Sequence, residues 1–402
     1  MSIHLHHNHQ VNEFLRSKEM NEIYLSYGLQ NFALGMISIF IPVYLYKIGY
    51  SIPWILFFYL LLPFCFVVFG YWGARAVARL GVKKSILVSI MFLFLQLAGL
   101  KYLPVWGWLF YLLPLINALK AMFYNYSFNL NFVQHSDSKH RGRQVAGLQA
   151  VSLVASLLSP FLGGLIIKFF GFTILFVVAA ILLFASVIPL VFVKEKSEPV
   201  SFNQQGLFSD ILSAANRPIA MSHAGFAVEE WIGFVLWPIF LTVIFISTES
   251  IGAISSLAAC ATFLVLYFVG KISDKRDKRS LIRFGTILYF FGWVGRVFAN
   301  SFMTALFVDT YKRISGQILQ VPWTSYIYDI ASKRDHFKFV VEREIIFDLS
   351  RVIVAPLIIL IFIINYHPFA FSFSVAAVFS LLYMSLNQTD LAAEAATKDR
   401  HG

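Results

Sequence analysis

The sequence predicts an all-α integral membrane protein of about twelve transmembrane helices, and three observations lead to that class. The 402 residues are 58% hydrophobic, 17% aromatic and only 13% charged, whereas a soluble domain carries about a quarter charged residues. The mean hydropathy is +0.72. Apolar runs long enough to cross a bilayer, which takes about 20 residues, recur along most of the chain. These properties exclude a soluble enzyme.

Twelve apolar runs can be placed in order along the chain. They lie near 22–47, 53–73, 84–101, 105–131, 145–168, 170–193, 219–245, 250–271, 280–299, 302–328, 345–365 and 368–386. The predicted organisation is an N-terminal segment (1–21), a six-helix bundle (22–193), a cytoplasmic linker (194–218), a second six-helix bundle (219–386) and a tail (387–402). No cleavable signal peptide is expected, because the chain begins with a polar segment and the apolar run that follows is too long.

The net charge of +11 is explained by topology. An even number of spans places both termini on one side of the membrane. If that side is the cytoplasm, its segments hold 24 of the 32 Lys and Arg residues, and the opposite side holds only Lys47, Lys101 and Lys168. Cytoplasmic loops collect Lys and Arg, so we expect a multi-pass protein of the cell inner membrane with cytoplasmic termini and no nucleic-acid partner. The remaining five cations must lie within the membrane.

Proline and charged positions recur at one fixed offset, which predicts two homologous halves. The offset is 196 residues, and the pairs are Pro42 and Pro238, Arg79 and Lys275, Lys83 and Arg279, Ser136 and Ser332, and Pro160 and Pro356. The same register holds in several separate regions without an insertion. The polar stretch 194–218 then connects the halves.

Two six-helix halves with basic residues at matching positions in their loops make the chain resemble the major facilitator superfamily of secondary transporters over about 22–386. The family's loop motif between the second and third helices of each half matches Gly270, Asp274, Lys275 and Arg279 in the second half and Arg79, Gly81 and Lys83 in the first. Ala78 stands where the motif has an acid in the first half. The resemblance implies two pseudo-symmetric bundles that alternate in access, with this loop helping to latch one conformation. Basic loops that only fix topology are the alternative interpretation.

A second segment resembles drug/proton antiporters of that family. Ser159-Pro160 is followed by Gly163-Gly164, as in the Pro-x-x-Gly-Gly segment of those antiporters. Small residues that allow close helix packing explain the two glycines equally well.

Nine charged residues are predicted to lie inside the membrane, where each costs about 2.5–3.5 kcal/mol on insertion scales. They are Lys120, Arg296, Lys312, Arg313, Arg351, Glu229, Glu230, Asp309 and Asp348. In the family that the chain resembles, helices 1, 4, 7 and 10 line the central cavity. Six of the nine fall on helices 4, 7 and 10 here, so these side chains are the best candidates for function.

Some of these charges are spaced for local pairing. Asp309 is three and four residues from Lys312 and Arg313, and Asp348 is three residues from Arg351, which suits salt bridges within one helix. These pairs are therefore either structural or functional.

The proton-coupling candidates are Glu229, Glu230 and Asp309. The two glutamates are adjacent, so they point about 100° apart on a helix of 3.6 residues per turn. Neighbouring carboxylates in a low dielectric repel each other, and one is expected to stay protonated near neutral pH. Proton coupling needs such a group. The alternative is a Glu paired with Lys312, Arg313 or Lys120 as a lock between the halves.

The substrate-binding candidates are polar residues on the predicted cavity helices. Lys120 has no acid within one turn of its own helix, so its partner must come from another helix, a water-filled cavity or a bound anion. Arg296 lies near the outer end of its helix and is expected to extend to the interface. The full predicted set is Gln30, Asn31, Asn117, Lys120, Tyr124, Lys312 and Arg313.

The predicted function is secondary active transport of a small organic solute by alternating access, coupled to protons and with efflux slightly favoured. The alternative is uptake or exchange of an anionic solute by the intramembrane Lys and Arg. No GxxxxGK[ST] motif is present, so ATP-driven transport is disfavoured. The expected partners are the solute, protons and the bilayer, with a monomeric chain.

No cofactor or metal is expected. Both cysteines, Cys65 and Cys260, lie in apolar runs, which offers no disulfide framework and no metal-binding pair. The N-terminal histidines suit either a metal site or a polar tail, and the tail is favoured because no other ligand cluster accompanies them. They are His4, His6, His7 and His9.

Overall fold

The computed structural model describes residues 18–135, 141–192, 213–214, 216–245, 247–273, 278–364 and 367–386, and over these residues its regular structure is helical. The helices are α1 (Lys18–Ile37), α2 (Phe40–Lys47), α3 (Ile52–Leu80), α4 (Val82–Tyr102), α5 (Leu109–His135), α6 (Arg141–Phe192), α7 (Arg217–Phe245), α8 (Thr248–Ser273), α9 (Lys278–Arg296), α10 (Phe302–Ala331), α11 (His336–Ile364) and α12 (Pro368–Ser380), and a 3₁₀ helix (Leu381–Ser385) extends α12. The predicted all-α class is confirmed.

These helices account for the twelve predicted spans. Together α1 and α2 form the first span, and α6 forms two, because Gly171 interrupts it with a left-handed backbone (φ 79°, ψ 174°). Eight helical stretches among the described residues are long and apolar enough to cross a membrane. The helices outside that set, α5, α9 and α10, carry charged side chains such as Lys120, Arg283 and Asp309.

Helix α11 begins at His336, well before the predicted start at 345. The early turns carry Glu342, Arg343 and Glu344, which the apolar pattern placed outside the span. All three are buried in the structure, because this part of α11 packs against other helices rather than against lipid. Hydropathy alone therefore starts this helix nine residues too late.

The two halves meet along α3 with α11 and along α6 with α8. At the second contact the helices touch backbone to backbone. A Cβ on Gly164 would lie 2.6 Å from the Thr248 carbonyl oxygen, and a Cβ on Gly252 would collide with the Pro160 carbonyl oxygen. Gly163 packs in the same way against α1. This geometry agrees with the interpretation of Gly163 and Gly164 as packing residues.

The outer surface is apolar, as expected for a chain that faces lipid. Large exposed side chains include Leu264, Met303, Phe307, Phe169 and Phe170. Most of the predicted linker 194–218, the N-terminal histidines, Ser136 and the tail 387–402 lie outside the described residues. The predicted domain boundaries therefore stay predictions.

Candidate functional site

A cavity of about 400 Å³ lies between the two halves. The first half contributes Gly35, Ser38, Ile39, Leu153, Ser156 and Pro160. The second half contributes the charged wall, made of Glu229, Glu230, Arg296, Asp309, Lys312 and Arg313. A cavity of this volume is within the range of small-molecule sites, and a position between two repeats is where transporters bind their solutes.

Glu229 lies at the centre of the charged wall and is fully buried. Its Oε2 accepts hydrogen bonds from the Tyr289 hydroxyl (2.9 Å) and the Trp293 indole N–H (3.2 Å). Its Oε1 accepts one from the Tyr383 hydroxyl (3.1 Å). Lys312 Nζ lies 3.7 Å from Oε2. Three neutral donors and one cation therefore surround this carboxylate.

Asp309 holds two arginines at once. Its Oδ1 accepts from Arg296 (2.6 Å) and its Oδ2 from Arg313 (2.9 Å). The Arg296 guanidinium lies between two indoles, 4.1 Å from the Trp237 ring centroid and 4.7 Å from that of Trp293. Cation–π contacts of this kind strengthen when the groups are desolvated. Two of the Arg296 nitrogens, Nε and Nη1, are buried without an acceptor.

The expectation that Arg296 extends to the outer interface is wrong. The residue is 3% exposed, because Asp309 and the two indoles stabilise the guanidinium inside the bundle. The aromatic side chains that share its stripe of α9, Tyr289 and Trp293, lie seven and three residues earlier. That helical spacing was a signal in the sequence for a polar site on this face.

The local pairs predicted from spacing are only partly those observed. Asp309 pairs with Arg313 at i,i+4 but not with Lys312, which instead faces Glu229. The Glu229–Lys312 pair joins α7 and α10 within one half, so it does not lock the halves together.

Glu230 points away from Glu229, as the helical geometry predicts. Its Oε2 accepts a 2.8 Å hydrogen bond from Arg351, which also donates to Asp348 Oδ1 (2.8 Å) and to the Ala227 carbonyl (3.2 Å). Asp348 and Arg351 thus form the predicted i,i+3 pair, extended to a second acid on α7. Sequence reasoning did not foresee that Arg351 would bridge both acids.

Two acids of the cavity wall, Glu229 and Asp309, are covered, whereas two of its cations, Lys312 and Arg313, reach the cavity. The side chains of Glu229 and Asp309 are 1% and 2% exposed, against 14% for Lys312 and 31% for Arg313. Arg313 also donates to the Ser255 hydroxyl (2.8 Å). A solute in the cavity therefore meets Lys312 and Arg313 before it meets these two carboxylates.

The predicted binding residues of the first half lie away from this cavity. Asn31 donates to the Tyr27 carbonyl (2.7 Å) and accepts from Ser152 (3.2 Å), and Tyr124 stacks on Phe128 at 5.6 Å. These contacts stay within one bundle. The predicted residues that do not line the cavity are Gln30, Asn31, Asn117, Lys120 and Tyr124, whereas Lys312 and Arg313 do.

Lys120 is the other unusual cation. Among the described residues, no carboxylate lies within ion-pair distance of its ammonium group. Its side chain is only partly exposed, in a helix that crosses the bundle. The sequence-based expectation of a bound anion or a water-filled space beside Lys120 therefore stays a prediction.

The loop motif is only partly described. Gly81 joins α3 to α4 in a tight turn with φ 82° and ψ 166°, and its N–H bonds the Val77 carbonyl at 3.0 Å. Arg79 is exposed there and Lys83 half-buried. In the second half, Arg279 lies over the Tyr326 ring at 5.4 Å. Gly270 is in α8, and Asp274 and Lys275 lie outside the described residues.

A set of contacts between the halves was missed by the sequence reasoning. Asn125 of α5 donates to Glu344 of α11 (2.9 Å), and Tyr328 of α10 donates to Asn129 of α5 (2.9 Å). Arg343 holds the other Glu344 oxygen at 2.7 Å. These bonds close the halves against each other at the end of the bundle predicted to be cytoplasmic.

Comparisons with known proteins agree with this architecture. A family model described as the Major Facilitator Superfamily matches residues 132–334, half of the chain. The crystal structure of a D-xylose-proton symporter superposes with a TM-score of 0.70 at 12% identity, covering 90% of this chain and 95% of that one. An E. coli fucose:proton symporter superposes with a TM-score of 0.65 at 10% identity, covering 92% and 98%. At these identities the likeness concerns the fold.

Curated relatives match at the level of sequence. An uncharacterised Bacillus subtilis protein, YqgE, is 22% identical over 241 residues, 58% of this chain and 56% of the relative. A Lactococcus lactis protein named as a homolog of the multi-drug resistance efflux pump PmrA is 25% identical over 247 residues, 57% of this chain and 58% of the relative. The chain therefore spans somewhat more than half the length of these relatives.

Proposed function

Because the chain belongs to the major facilitator superfamily, and is thus a multi-pass membrane transporter rather than an enzyme, we propose that it moves a small organic solute by proton-coupled alternating access. The two halves would open the cavity to one side of the membrane at a time. The solute would bind in the cavity of about 400 Å³.

The observation that carries the proton coupling is the environment of Glu229. The carboxylate is buried at the cavity wall, holds three neutral hydrogen-bond donors and has its one cation at 3.7 Å. The three donors hold the Glu229 carboxylate in place by hydrogen bonds, and Lys312 supplies the positive charge that balances it. An ionisable group inside the membrane that exchanges a proton with the cavity is what coupling requires. We therefore assign the proton to Glu229 before Glu230 and Asp309, whose arginine partners lie within 3 Å.

The direction of transport has two candidates, each supported by a different observation. The names of relatives such as the Lactococcus lactis efflux-pump homolog favour efflux of a drug-like solute. The greater exposure of Lys312 and Arg313 relative to Glu229 and Asp309 favours an anionic solute, which belongs to the second candidate, uptake or exchange of an anion. Lys120, which has no acid partner among the described residues, also supports the second.

Transport in proteoliposomes under an imposed pH gradient tests the proposal. The solute is first chosen by thermal-shift screening of drugs, sugars and organic anions against the purified protein. Wild type is compared with Glu229→Gln, Glu230→Gln and Lys120→Ala, and Glu249→Gln is the matched control because that acid pairs with Lys168 away from the cavity. We expect Glu229→Gln to abolish pH-driven transport and the control to retain it. Unchanged pH-driven transport in both cavity glutamate variants would contradict the coupling.

A further inference from the structure

Among the described residues, the charged side chains that line the cavity, together with Arg351 and Asp348 linked to Glu230, balance in number. The four cations are Arg296, Lys312, Arg313 and Arg351, and the four acids are Glu229, Glu230, Asp309 and Asp348. An uncompensated charge in a low-dielectric site costs several kcal/mol. A charged solute that enters this set upsets the balance unless a second charge enters with it.

The surface that a solute meets is cationic. Lys312 and Arg313 reach the cavity, whereas Glu229 and Asp309 are covered. Glu230 is the exception, because its side chain is 45% exposed, but its carboxylate is already bonded to Arg351 at 2.8 Å. The charged groups available to bind a solute are therefore Lys312 and Arg313 on α10 and Arg296 on α9.

Arg296 adds an independent observation. It lines the cavity, it is 3% exposed, and its Nε and Nη1 atoms have no acceptor. Buried donors of this kind are costly when they stay unpaired. A carboxylate matches the planar geometry of a guanidinium, so it is the ligand group that would satisfy these donors.

We propose that the solute is a small organic carboxylate bound by Lys312 with Arg296 or Arg313, and that each carboxylate enters together with one proton, which Glu229 takes up. The proposal rests on the proposed function and specifies its second candidate. Lys312 is shared: its ammonium neutralises Glu229 when the site is empty and the solute when Glu229 is protonated. The eight charged side chains, the solute and the proton then sum to zero.

The surroundings of Glu229 are suited to that exchange. On α9 it faces Tyr289 and Trp293, and on α10 it faces Lys312. The 3₁₀ segment contributes Tyr383. Glu230, on its own helix, is the further charged group that acts on Glu229, whereas Arg296, Asp309 and Arg313 act on its partners Tyr289 and Lys312. Lys312 is thus the one direct ionic contact that protonation releases.

The apolar part of the solute also has a place. Phe234, Trp237, Pro238, Ile39 and Leu153 line the same cavity. A volume of about 400 Å³ accommodates a body of one or two aromatic rings. The carboxylate end would face α9 and α10, and the ring would lie against α7.

Calorimetric titration of the purified full-length protein tests the proposal. The probes are benzoate and 2-naphthoate, with benzamide and 2-naphthamide as neutral analogues and benzylamine as the cationic one. Titrations in two buffers of different ionisation enthalpy count the protons taken up. We expect a carboxylate to bind with about one proton taken up, and its affinity to fall up to about tenfold per pH unit once Glu229 is ionised.

Variants separate this role from a structural one. Glu229→Gln should bind the carboxylate with an affinity that no longer depends on pH and with no proton uptake. Glu249→Gln should keep the wild-type proton count. The proposal is overturned if the amides or the amine bind more tightly than the carboxylates, if no carboxylate of the panel binds, or if proton uptake persists in Glu229→Gln. In those cases pH-driven transport of a neutral or cationic solute would still support the proposed function.

Discussion

The carboxylate of Glu229 and the ammonium of Lys312 lie 3.7 Å apart inside the bundle. That separation is too long for a hydrogen bond and short enough for a strong Coulomb interaction in a low dielectric. The carboxylate is positioned by Tyr289, Trp293 and Tyr383, so its place does not depend on the lysine. Lys312 can therefore move from Glu229 to another anion while the Glu229 carboxylate keeps its position.

Lys312 and Lys120 should respond in opposite ways to the same substitution. Lys312→Met leaves Glu229 without its cation, and removal of one partner of a buried pair costs about 3–5 kcal/mol. Lys120→Met removes a cation that has no acid partner among the described residues, which should stabilise the fold by about 1–3 kcal/mol. Thermal unfolding in detergent, followed by circular dichroism, measures both. A lower unfolding temperature for Lys120→Met would reveal a structural partner.

Asp309→Asn should be severely destabilising. The change leaves Arg296 and Arg313 with a neutral acceptor in place of a carboxylate, and the Arg296 side chain is only 4% exposed. We expect a loss of about 3–5 kcal/mol, read from thermal unfolding in detergent. Adding Arg296→Gln should recover part of the loss, because it removes the uncompensated charge. If the double variant is no more stable than the single one, the two residues do not act as a pair.

The bonds between α5 and the second half should hold one end of the bundle closed. Asn125→Ala with Asn129→Ala removes the contacts to Glu344 and Tyr328. We expect the halves to separate more often at that end. Spin labels on Arg79 and Lys333, both exposed, should show a longer distance by pulsed electron resonance in a chain without native cysteines.

The matched control for that measurement is Asn300→Ala. Asn300 is exposed, and among the described residues its hydrogen bonds are to Thr304 in the first turn of α10. Its replacement should leave the distance distribution unchanged. An equal shift in the control and in the α5 variant would mean that the α5 bonds do not hold this end closed.

Gly164→Ala should disturb the contact between α6 and α8. The new methyl would lie 2.6 Å from the Thr248 carbonyl oxygen, and backbone offers little room to move. Overpacking of this kind costs about 1–3 kcal/mol. Gly107→Ala is the control, because nothing lies within 4 Å of a Cβ there, and its unfolding temperature should stay near that of wild type. Equal unfolding temperatures for the two variants would argue against a close helix contact.

The fold could be predicted from the sequence because the features that determine it can be counted along the chain. Apolar run lengths set the spans, and the repeat at a fixed offset predicted two halves. The exception is α11, where Glu342, Arg343 and Glu344 ended the apolar run although they are buried in protein. A charge count does not distinguish burial against a neighbouring helix from exposure to water.

The site could be predicted only where partners are close along the chain. Asp309 with Arg313 and Asp348 with Arg351 follow from helical spacing. Tyr383 lies 154 residues from Glu229, and no local pattern indicates that contact. Asn31 and Asn117 were predicted to face the cavity because they are polar residues on the helices counted as 1 and 4. Helix α1 lines the cavity with Gly35 but not with Asn31, and among the described residues α5 contributes none of the lining.

The position of Trp293 has a consequence for how the protein can be observed. Its indole N–H bonds Glu229, and its ring faces both Lys312 and Arg296. A charge near an indole shifts the emission wavelength and the quantum yield of its fluorescence. In a variant that keeps only this one of the eight tryptophans, the fluorescence spectrum would report each change of charge in the cavity as it happens. The protein therefore contains an optical reporter of its own working cycle.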